Sequence, residues 1–389
     1  MARKPAEAKE EAADGERRKR RKRTPDGPWR PTPLPWILGA GRSCLVVAEP
    51  VRILSATLPE AFLLAASLKD AEVVAFDHSA RRVRAAKTAA TRRRLRNLRI
   101  EYAQIDQPAL GELIGGNFNA VIAHDVLHQA GNIDGAWGNL SAACASDGSL
   151  YVMLRGSAHP AGRIDAALAS FGLDRASPDA PQVHSLLAAI GGFACASPED
   201  LAAEFGPSGA GAFSASDWVD QAARAGLHLR ATTLTSRYLT RALAGGGTGL
   251  LAAFSLPALA SLLDSYLQPA SFEMVFTREV PAEPPWREPG ALLDWTPVGR
   301  FLPLFKLQPL GEPWDALATV EVEIHGVLEP QSFTLSCYML ELLRLSDGRA
   351  TLREIMAAIP HETGAETLVG GLHFLHHAFI LELLPPAHS

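Results

Sequence analysis

The stretch Glu72-Val73-Val74-Ala75-Phe76-Asp77 is a short apolar run that ends in an acidic residue, and a basic segment with helical character follows it from about Ala80 to Leu95. The same alternation continues on both sides. Further apolar runs lie at 51–54, 120–123 and 150–154, another strand is predicted at 98–103, and further helical segments lie at 60–68, 109–114 and 133–145. Short apolar runs that alternate with helices indicate βαβ units, because a parallel connection needs a crossover that covers a sheet face. The sequence therefore predicts an α/β domain with helices on both faces of a mainly parallel sheet.

The end of this domain carries a different pattern. Two more strands are predicted at 229–234 and 272–276, with a helix at 256–267 between them. A further helix ends at Gly226, and Ser214 or Ser216 could cap its start. We expect the two late strands to add an antiparallel edge to the sheet.

Prolines divide the chain into domains. Eight prolines lie between 281 and 313, and proline is poorly tolerated inside helices because it lacks a backbone donor. This segment is predicted to be a linker between a first domain at 29–280 and a second at 314–389. In the second domain we predict a strand at 319–324, helices at 334–345, 352–358 and 367–377, and a final apolar run at 379–384. That order is the outline of a winged-helix-like α+β module.

Charge is distributed unevenly along the chain. Residues 1–25 carry ten Lys/Arg and five Asp/Glu, whereas the remaining chain carries 27 Lys/Arg and 37 Asp/Glu. Residues 1–28 are therefore predicted to be a disordered basic tail, which either stays solvated or associates with nucleic acid through charge. The tail has no apolar segment typical of a secretory signal, and no long apolar run predicts a membrane span. Four widely separated cysteines favour a reducing cytoplasm.

Three segments resemble class I S-adenosylmethionine-dependent methyltransferases. Glu72–Ser79 is similar to the second strand of that family, His124–His128 to the fourth strand with its loop, and Ser146–Val152 to the turn into the fifth strand. The segments Leu342–Gly348 and Arg155–Arg163 resemble a subgroup that carries a C-terminal regulatory domain. The likeness runs from about 51 to the C-terminus, and it implies a Rossmann-like methyltransferase sheet.

The resemblance also implies a site for S-adenosylmethionine beyond the carboxyl ends of the strands. Asp77 would accept the ribose hydroxyls, Asp106 would lie by the adenine amino group, and Asp125 would line the methyl-donor end, with His124 and His128 as candidate bases. Each acid also has a plain structural alternative. Asp77 could cap the next helix, Asp106 could be a turn residue, and Asp125 could be solvated.

The first loop departs from the family. That loop is glycine-rich in the family because the backbone approaches the cofactor closely, but here it reads Leu54-Ser55-Ala56-Thr57-Leu58-Pro59-Glu60. Either Ser55, Ala56 and Thr57 hold the cofactor along another path, or the site is filled and the fold serves as a scaffold. Two functions stay open. One is an active methyltransferase for a protein or small-molecule acceptor, with the C-terminal domain regulating it or presenting the substrate. The other is a catalytically silent binding or regulatory protein.

Other enzyme classes lack their motifs. The sequence contains no Gly-Lys-Ser/Thr phosphate loop, no His-Glu-x-x-His and no Gly-x-Ser-x-Gly. His373, His376 and His377 share a helical face, but no carboxylate or cysteine pattern accompanies them. No metal site is predicted.

Overall fold

The computed structural model describes residues 51–156, 158–159, 213–232, 255–299, 314, 317–322, 331–361, 363–377 and 380–386. The predicted tail at 1–28 and the part of the predicted linker from 300 to 313 lie outside the described residues. All described residues belong to one compact unit that spans 33–389.

Within the described ranges, seven strands form the main sheet. They are β1 (Arg52–Ser55), β2 (Glu72–Asp77), β3 (Leu98–Tyr102), β4 (Phe118–His124), β5 (Cys144–Arg155), β6 (His228–Thr232) and β7 (Ser271–Thr277). Their order in the sheet is β3-β2-β1-β4-β5-β7-β6. Strands β1 to β5 pair in parallel, and β7 runs antiparallel to both β5 and β6. The α/β prediction is confirmed, and β7 is the strand that supplies the expected antiparallel pairing.

Strand β5 begins earlier than the sequence predicts. Asp147-Gly148 was expected to form a turn before a strand at 150, but β5 already pairs with β4 at Cys144, and the register shifts between Phe118 and Ala120. A Cβ on Gly148 would lie 2.6 Å from the Phe118 carbonyl oxygen. Glycine is needed there because the backbones of the two strands approach too closely for any side chain.

Helices cover both faces of this sheet. The helices of the first domain are α1 (Leu58–Ser67), α2 (Ala80–Arg93), α3 (Leu110–Ile114), α4 (Ile133–Ala143), α5 (Ala215–Arg224) and α6 (Leu256–Leu267). Helices α1 and α2 pack on the face that carries Ile53 and Val73, and the others pack on the face that carries Leu54 and Val74. Alternate residues of each strand therefore enter separate apolar cores, as a parallel sheet requires.

The start of α5 confirms a cap predicted from the sequence. The Ser214 hydroxyl accepts a hydrogen bond from the Asp217 backbone N–H, and the Asp217 carboxylate accepts one from the Ser214 N–H. Inside the core, the indole N–H of Trp218 donates to the Arg155 carbonyl oxygen at 3.1 Å. This bond ties α5 to the end of β5.

Regular structure already begins inside the predicted linker. The C-terminal elements are α7 (Pro289–Leu292), β8 (Thr296–Gly299), β9 (Leu317–Val322), β10 (Gln331–Ser336), α8 (Cys337–Leu345), α9 (Leu352–Ala358), α10 (Ala365–His377) and β11 (Leu381–Leu384). Strand β8 pairs with β11, and Trp286 and Trp295 enter the core formed by α8, α9 and α10. Residues 286–299 of the predicted linker therefore contribute apolar side chains to this core, and the division into two domains stays a prediction.

Capping residues and strand pairing determine where helices α8 and α9 begin. Thr351 and Glu354 form a reciprocal capping box at the start of α9, as the Thr-led sequence suggests. The helix expected from 334 begins only at Cys337, since residues 331–336 pair with β9. The winged-helix-like assignment stays a prediction. None of the described helices is long and apolar enough to span a membrane.

Candidate functional site

A pocket of about 450 Å³ opens at the carboxyl ends of the first four strands of the sheet. Ala56 follows β1, Asp77 ends β2, and Val126 follows β4, and all three line the pocket. Ala103 and Ile105, which follow β3, add apolar surface. The chain reverses its direction of winding between β1 and β4, and ligands of open parallel sheets bind beyond the strand ends at such a point. The pocket is therefore the candidate ligand site.

The β1–α1 connection forms its turn without glycine. The Ser55 hydroxyl donates to the Thr57 carbonyl oxygen at 2.9 Å, and the Thr57 hydroxyl donates to Glu60 Oε2 at 3.1 Å. None of residues 55–59 has a positive φ angle, so the backbone path needs no glycine. Of Ser55, Ala56 and Thr57, only Ala56 lines the pocket. Ser55 is fully buried and bonded within its own turn, so the predicted hydroxyl contact to a cofactor would require that turn to rearrange.

Asp77 presents a carboxylate to the pocket. Its Oδ1 accepts hydrogen bonds from the Ser79 N–H at 2.7 Å and from Arg82 Nε at 3.0 Å. Its side chain is 13% exposed. Within the described part of the chain, Oδ2 has no hydrogen-bond donor. Helix α2 is capped by Ser79 rather than by Asp77, because Ser79 accepts from the Arg82 N–H. The carboxylate therefore keeps one oxygen for a ligand.

Asp106 lines the same pocket from the loop after β3. Its Oδ2 accepts from the Asn132 backbone N–H at 2.9 Å. In turn, the Asn139 side-chain amide donates to the carbonyl oxygens of Ile105 and Gln107 at 2.9 and 3.0 Å. Asp106 is therefore a turn residue that also lines the pocket, and its contact with adenine stays a prediction.

Asp125 adopts a different role. Arg155, at the end of the neighbouring strand β5, donates to both carboxylate oxygens of Asp125 at 2.7 and 3.0 Å. His128 Nδ1 lies 3.2 Å from Asp125 Oδ1. Burial acts to raise the pKa of Asp125, but the hydrogen bonds from His128 and Arg155 outweigh it and hold the pKa below its ordinary value. The backbone of Asp125 has a φ of 49°, a left-handed conformation that is uncommon for residues other than glycine.

The candidate bases lie outside the pocket wall. His124 packs edge-on against Tyr151, with ring centroids 6.5 Å apart, on the sheet face that α1 covers. His128 is buried behind Asp125. Burial, followed by the charge of Arg155, lowers the pKa of His159 to about 4, so that ring is neutral at physiological pH. The assignment of His124 or His128 as a base stays a prediction.

Glu60 is a buried acid that the sequence did not single out. It lies in the first turn of α1 and is only 2% exposed. Burial raises its pKa to about 7, the Thr57 hydrogen bond acts to lower it, and the charge of Glu273 adds to the rise. Its Oε1 is buried and accepts no hydrogen bond. This carboxyl group is therefore about half protonated at neutral pH, directly behind the pocket-lining turn.

Three polar pocket residues were missed in the sequence. His78, Gln104 and Gln129 line the pocket; the first two lie in the loops after β2 and β3, and Gln129 ends a short 3-10 helix (Leu127–Gln129) after β4. Strand order would have indicated these loops, because residues just beyond the ends of β2, β3 and β4 converge on one edge. Their side-chain types gave no signal of their own.

The histidines of α10 form an aromatic cluster. His373 and His377 lie against Trp286, with ring centroids 4.8 and 6.2 Å away. Burial lowers the pKa of His373 to about 4 and that of His377 to about 3, so both rings are neutral. Among the residues that the structure describes, no group of three or more metal-binding side chains is placed to hold a metal ion.

Comparison with known proteins identifies the domain that carries this pocket. Residues 55–150, about a quarter of the chain, match the family model described as a methyltransferase domain. This segment is therefore similar to a methyltransferase domain. The pocket residues Ala56, Asp77, Asp106 and Val126 all lie inside the matched segment. No curated protein sequence matches the chain.

One solved structure has a fold similar to that of this chain. The structure of PKMT2 from Rickettsia typhi in complex with AdoHcy aligns with a TM-score of 0.50 and 13% identity, over 93% of this chain and 77% of that one. At this identity the likeness shows the fold alone. The O-methyltransferase of a trans-AT PKS multienzyme of Brevibacillus brevis, in complex with S-adenosyl-L-homocysteine, aligns at a TM-score of 0.35 and 9% identity, over 63% of this chain and 71% of that one.

Proposed function

We propose that the chain is an S-adenosylmethionine-dependent methyltransferase. The observation that carries this proposal is the pocket of about 450 Å³ at the switch point of the sheet, with the Asp77 carboxylate in its wall. A pocket of this size falls within the usual range for small-molecule sites. It lies within the segment that matches the methyltransferase domain.

The residues present suit this cofactor. Asp77 keeps one carboxylate oxygen for the ribose hydroxyls, and Ala103, Ile105 and Val126 offer apolar surface to the adenine ring. Asp106 stands on the same wall, where its free oxygen would accept from the adenine amino group. Ala56 replaces the glycine of the usual loop with the smallest side chain that has a Cβ. S-adenosylmethionine supplies an activated methyl group when it is bound.

The protein's own contribution to the reaction is positioning. The Arg155–Asp125 ion pair joins the ends of β4 and β5, so the loop that carries Val126 and Gln129 is fixed against the pocket. Methyl transfer depends mainly on such alignment of donor and acceptor. We propose that the acceptor is a protein or small molecule, that the C-terminal domain regulates the enzyme or presents that acceptor, and that the site of action is the cytoplasm. Cys144 and Cys337 are free thiols, which suits that location.

Calorimetric titration of the purified protein with S-adenosylmethionine tests the proposal. We expect saturable heat and a rise in melting temperature, because a ligand that binds only the folded state stabilises it. Absence of both at millimolar ligand would overturn the enzyme assignment in favour of a silent methyltransferase-like binding protein. Incubation with methyl-labelled S-adenosylmethionine and either a protein extract or its small-molecule filtrate then separates the two acceptor classes.

A further inference from the structure

Residues 80–99 form a cationic surface beside the proposed methyl-transfer site, which it contacts through the Arg82–Asp77 ion pair. They contain nine Lys/Arg and no Asp/Glu. All nine are exposed, on α2, on the segment that joins it to the edge strand β3, and on β3 itself. We call this set the α2 basic surface; its members are Arg81, Arg82, Arg84, Lys87, Arg92, Arg93, Arg94, Arg96 and Arg99.

Most of these charges have no acidic partner. Arg82 pairs with Asp77, whereas Lys87 and Arg99 share Glu101 at 3.8 and 3.4 Å. Among the described residues, no carboxylate forms an ion pair with the remaining members, which are Arg81, Arg84, Arg92, Arg93, Arg94 and Arg96. Like charges that are held together without counter-charges create a strong local positive potential.

The geometry of the helix directs these charges outward. Helix α2 buries Val83, Ala86 and Ala90 against the sheet. Arg81, Arg84 and Arg92 lie on the opposite face by helical periodicity, along a helix of about 21 Å. Beyond its end, a groove of about 570 Å³ is lined by four more cations, Lys87, Arg94, Arg96 and Arg99. The surface is therefore a continuous strip that ends in a concave cationic groove.

The strip contrasts with the rest of the chain. Outside residues 1–25 and 80–99, the chain carries 18 Lys/Arg and 37 Asp/Glu. None of the exposed large apolar side chains among the described residues lies between 80 and 99. Interfaces between proteins usually need an apolar core, and this strip offers none. Eight of its nine cations are arginines, whose planar fork binds phosphate oxygens in a bidentate manner.

We propose that the α2 basic surface binds nucleic acid through its phosphate backbone. A strip of exposed arginines without apolar anchors matches the electrostatic footprint of backbone recognition. Binding of this kind is independent of sequence and strongly dependent on salt. The surface begins three residues after the pocket-lining His78, so a bound strand would lie beside the methyltransferase-like pocket.

Fluorescence anisotropy of the full-length protein with a labelled DNA duplex and a labelled single-stranded RNA tests this proposal. The variant combines Arg81→Gln, Arg84→Gln and Arg92→Gln, three exposed residues without ion pairs, so the fold should be retained. The matched control combines Arg224→Gln, Arg287→Gln and Arg349→Gln, which removes the same charge from other exposed positions. We expect the α2 variant to bind at least about tenfold more weakly. Its plot of log affinity against log salt should be less steep by about two to three, and the control should change less than about twofold.

Four outcomes would overturn the proposal. Equal weakening by both triple variants would mean that only net charge matters. Loss of binding on replacing Arg17–Arg23 by glutamines, with no effect of the α2 variant, would assign binding to the N-terminal tail. Tighter binding to phosphatidylserine vesicles or to poly-glutamate than to either nucleic acid would assign the surface to a membrane or to an acidic protein. Absence of saturable binding of both nucleic acids at low salt would also overturn the proposal of nucleic-acid binding.

Discussion

Asp77 and Asp125 both lie at the carboxyl edge of the sheet, but their carboxylates make different contacts. Asp77 ends β2, lines the pocket and receives only the exposed Arg82 and a backbone N–H at one oxygen. Asp125 follows β4 and is bound at both oxygens by the buried Arg155, with His128 beside it. Whether an acid at a strand end can bind a ligand therefore depends on its neighbours in the sheet. Asp125 is held in an ion pair by Arg155 from the neighbouring strand, and Asp77 keeps one oxygen for a ligand.

The largest expected effect on stability comes from removing the Asp125–Arg155 ion pair. Arg155→Met should lower the free energy of unfolding by about 3 kcal/mol, because Asp125, whose side chain is 31% exposed, loses both hydrogen bonds from the buried Arg155. Urea denaturation followed by circular dichroism measures this change.

The control for that experiment is Arg224→Met. Arg224 and Asp134 form an ion pair whose side chains are 60% and 70% exposed, so its loss should cost less than about 1 kcal/mol. If both variants lose a similar free energy of unfolding, the Asp125–Arg155 pair does not stabilise the ends of β4 and β5.

Glu60 extends the comparison to an acid that has neither a cation nor a place in the pocket wall. Its pKa of about 7 in the folded state lies above the ordinary 4.5, so the folded state holds the proton more tightly than the unfolded state. The stability that this group contributes is then full below about pH 4.5 and is lost as the pH rises to about 7. The loss is on the order of 3 kcal/mol.

Glu60→Gln should remove this dependence. The variant should match the parent near pH 4.5 and be more stable at pH 8, by urea denaturation at both values. Glu72→Gln serves as the control, because the Arg52 hydrogen bond lowers the pKa of the exposed Glu72. Glu72 is therefore not expected to reduce the stability of the parent as the pH rises from 4.5 to 8. An unchanged pH profile in the Glu60 variant would mean that Glu60 is ionised in the folded protein.

The sequence predicted more of the fold than of the site. Apolar periodicity located every strand of the main sheet, since burial on both faces imposes continuous apolar runs such as 72–76. The sequence, through its resemblance to methyltransferases, suggested six cofactor-binding residues. Ala56, Asp77 and Asp106 line the pocket, whereas Ser55, Thr57 and Asp125 are not among its lining residues. The sequence could not reveal that Arg155 would reach Asp125, because that contact depends on the pairing of β4 with β5. It also assigned Trp286 and Trp295 to a linker, because proline content says nothing about which aromatic side chains will be buried.

A smaller effect should separate the two aspartates by function. Asp77→Asn keeps an acceptor for the Ser79 N–H but removes the charge, so affinity for S-adenosylmethionine should fall about 30-fold while stability changes by less than about 1 kcal/mol. Asp125→Asn should do the reverse, lowering stability more than affinity. Calorimetric titration and urea denaturation of both variants provide the two readouts. Equal loss of affinity in both would contradict the division of roles.

The smallest expected effect concerns the cation beside Asp77. Arg82 Nε occupies Asp77 Oδ1 at 3.0 Å, and a ribose hydroxyl that binds this carboxylate would compete with it. The Arg82 side chain is 46% exposed, so its ion pair with Asp77 contributes at most about 1 kcal/mol. Arg82→Gln should therefore raise the affinity for S-adenosylmethionine by no more than about fivefold. Arg81→Gln makes the same charge change one residue away without contact to Asp77, and calorimetry on both variants isolates the contact from the general field. If Arg82→Gln instead weakens binding and Arg81→Gln does not, Arg82 holds Asp77 in the orientation that the ligand needs rather than competing for it.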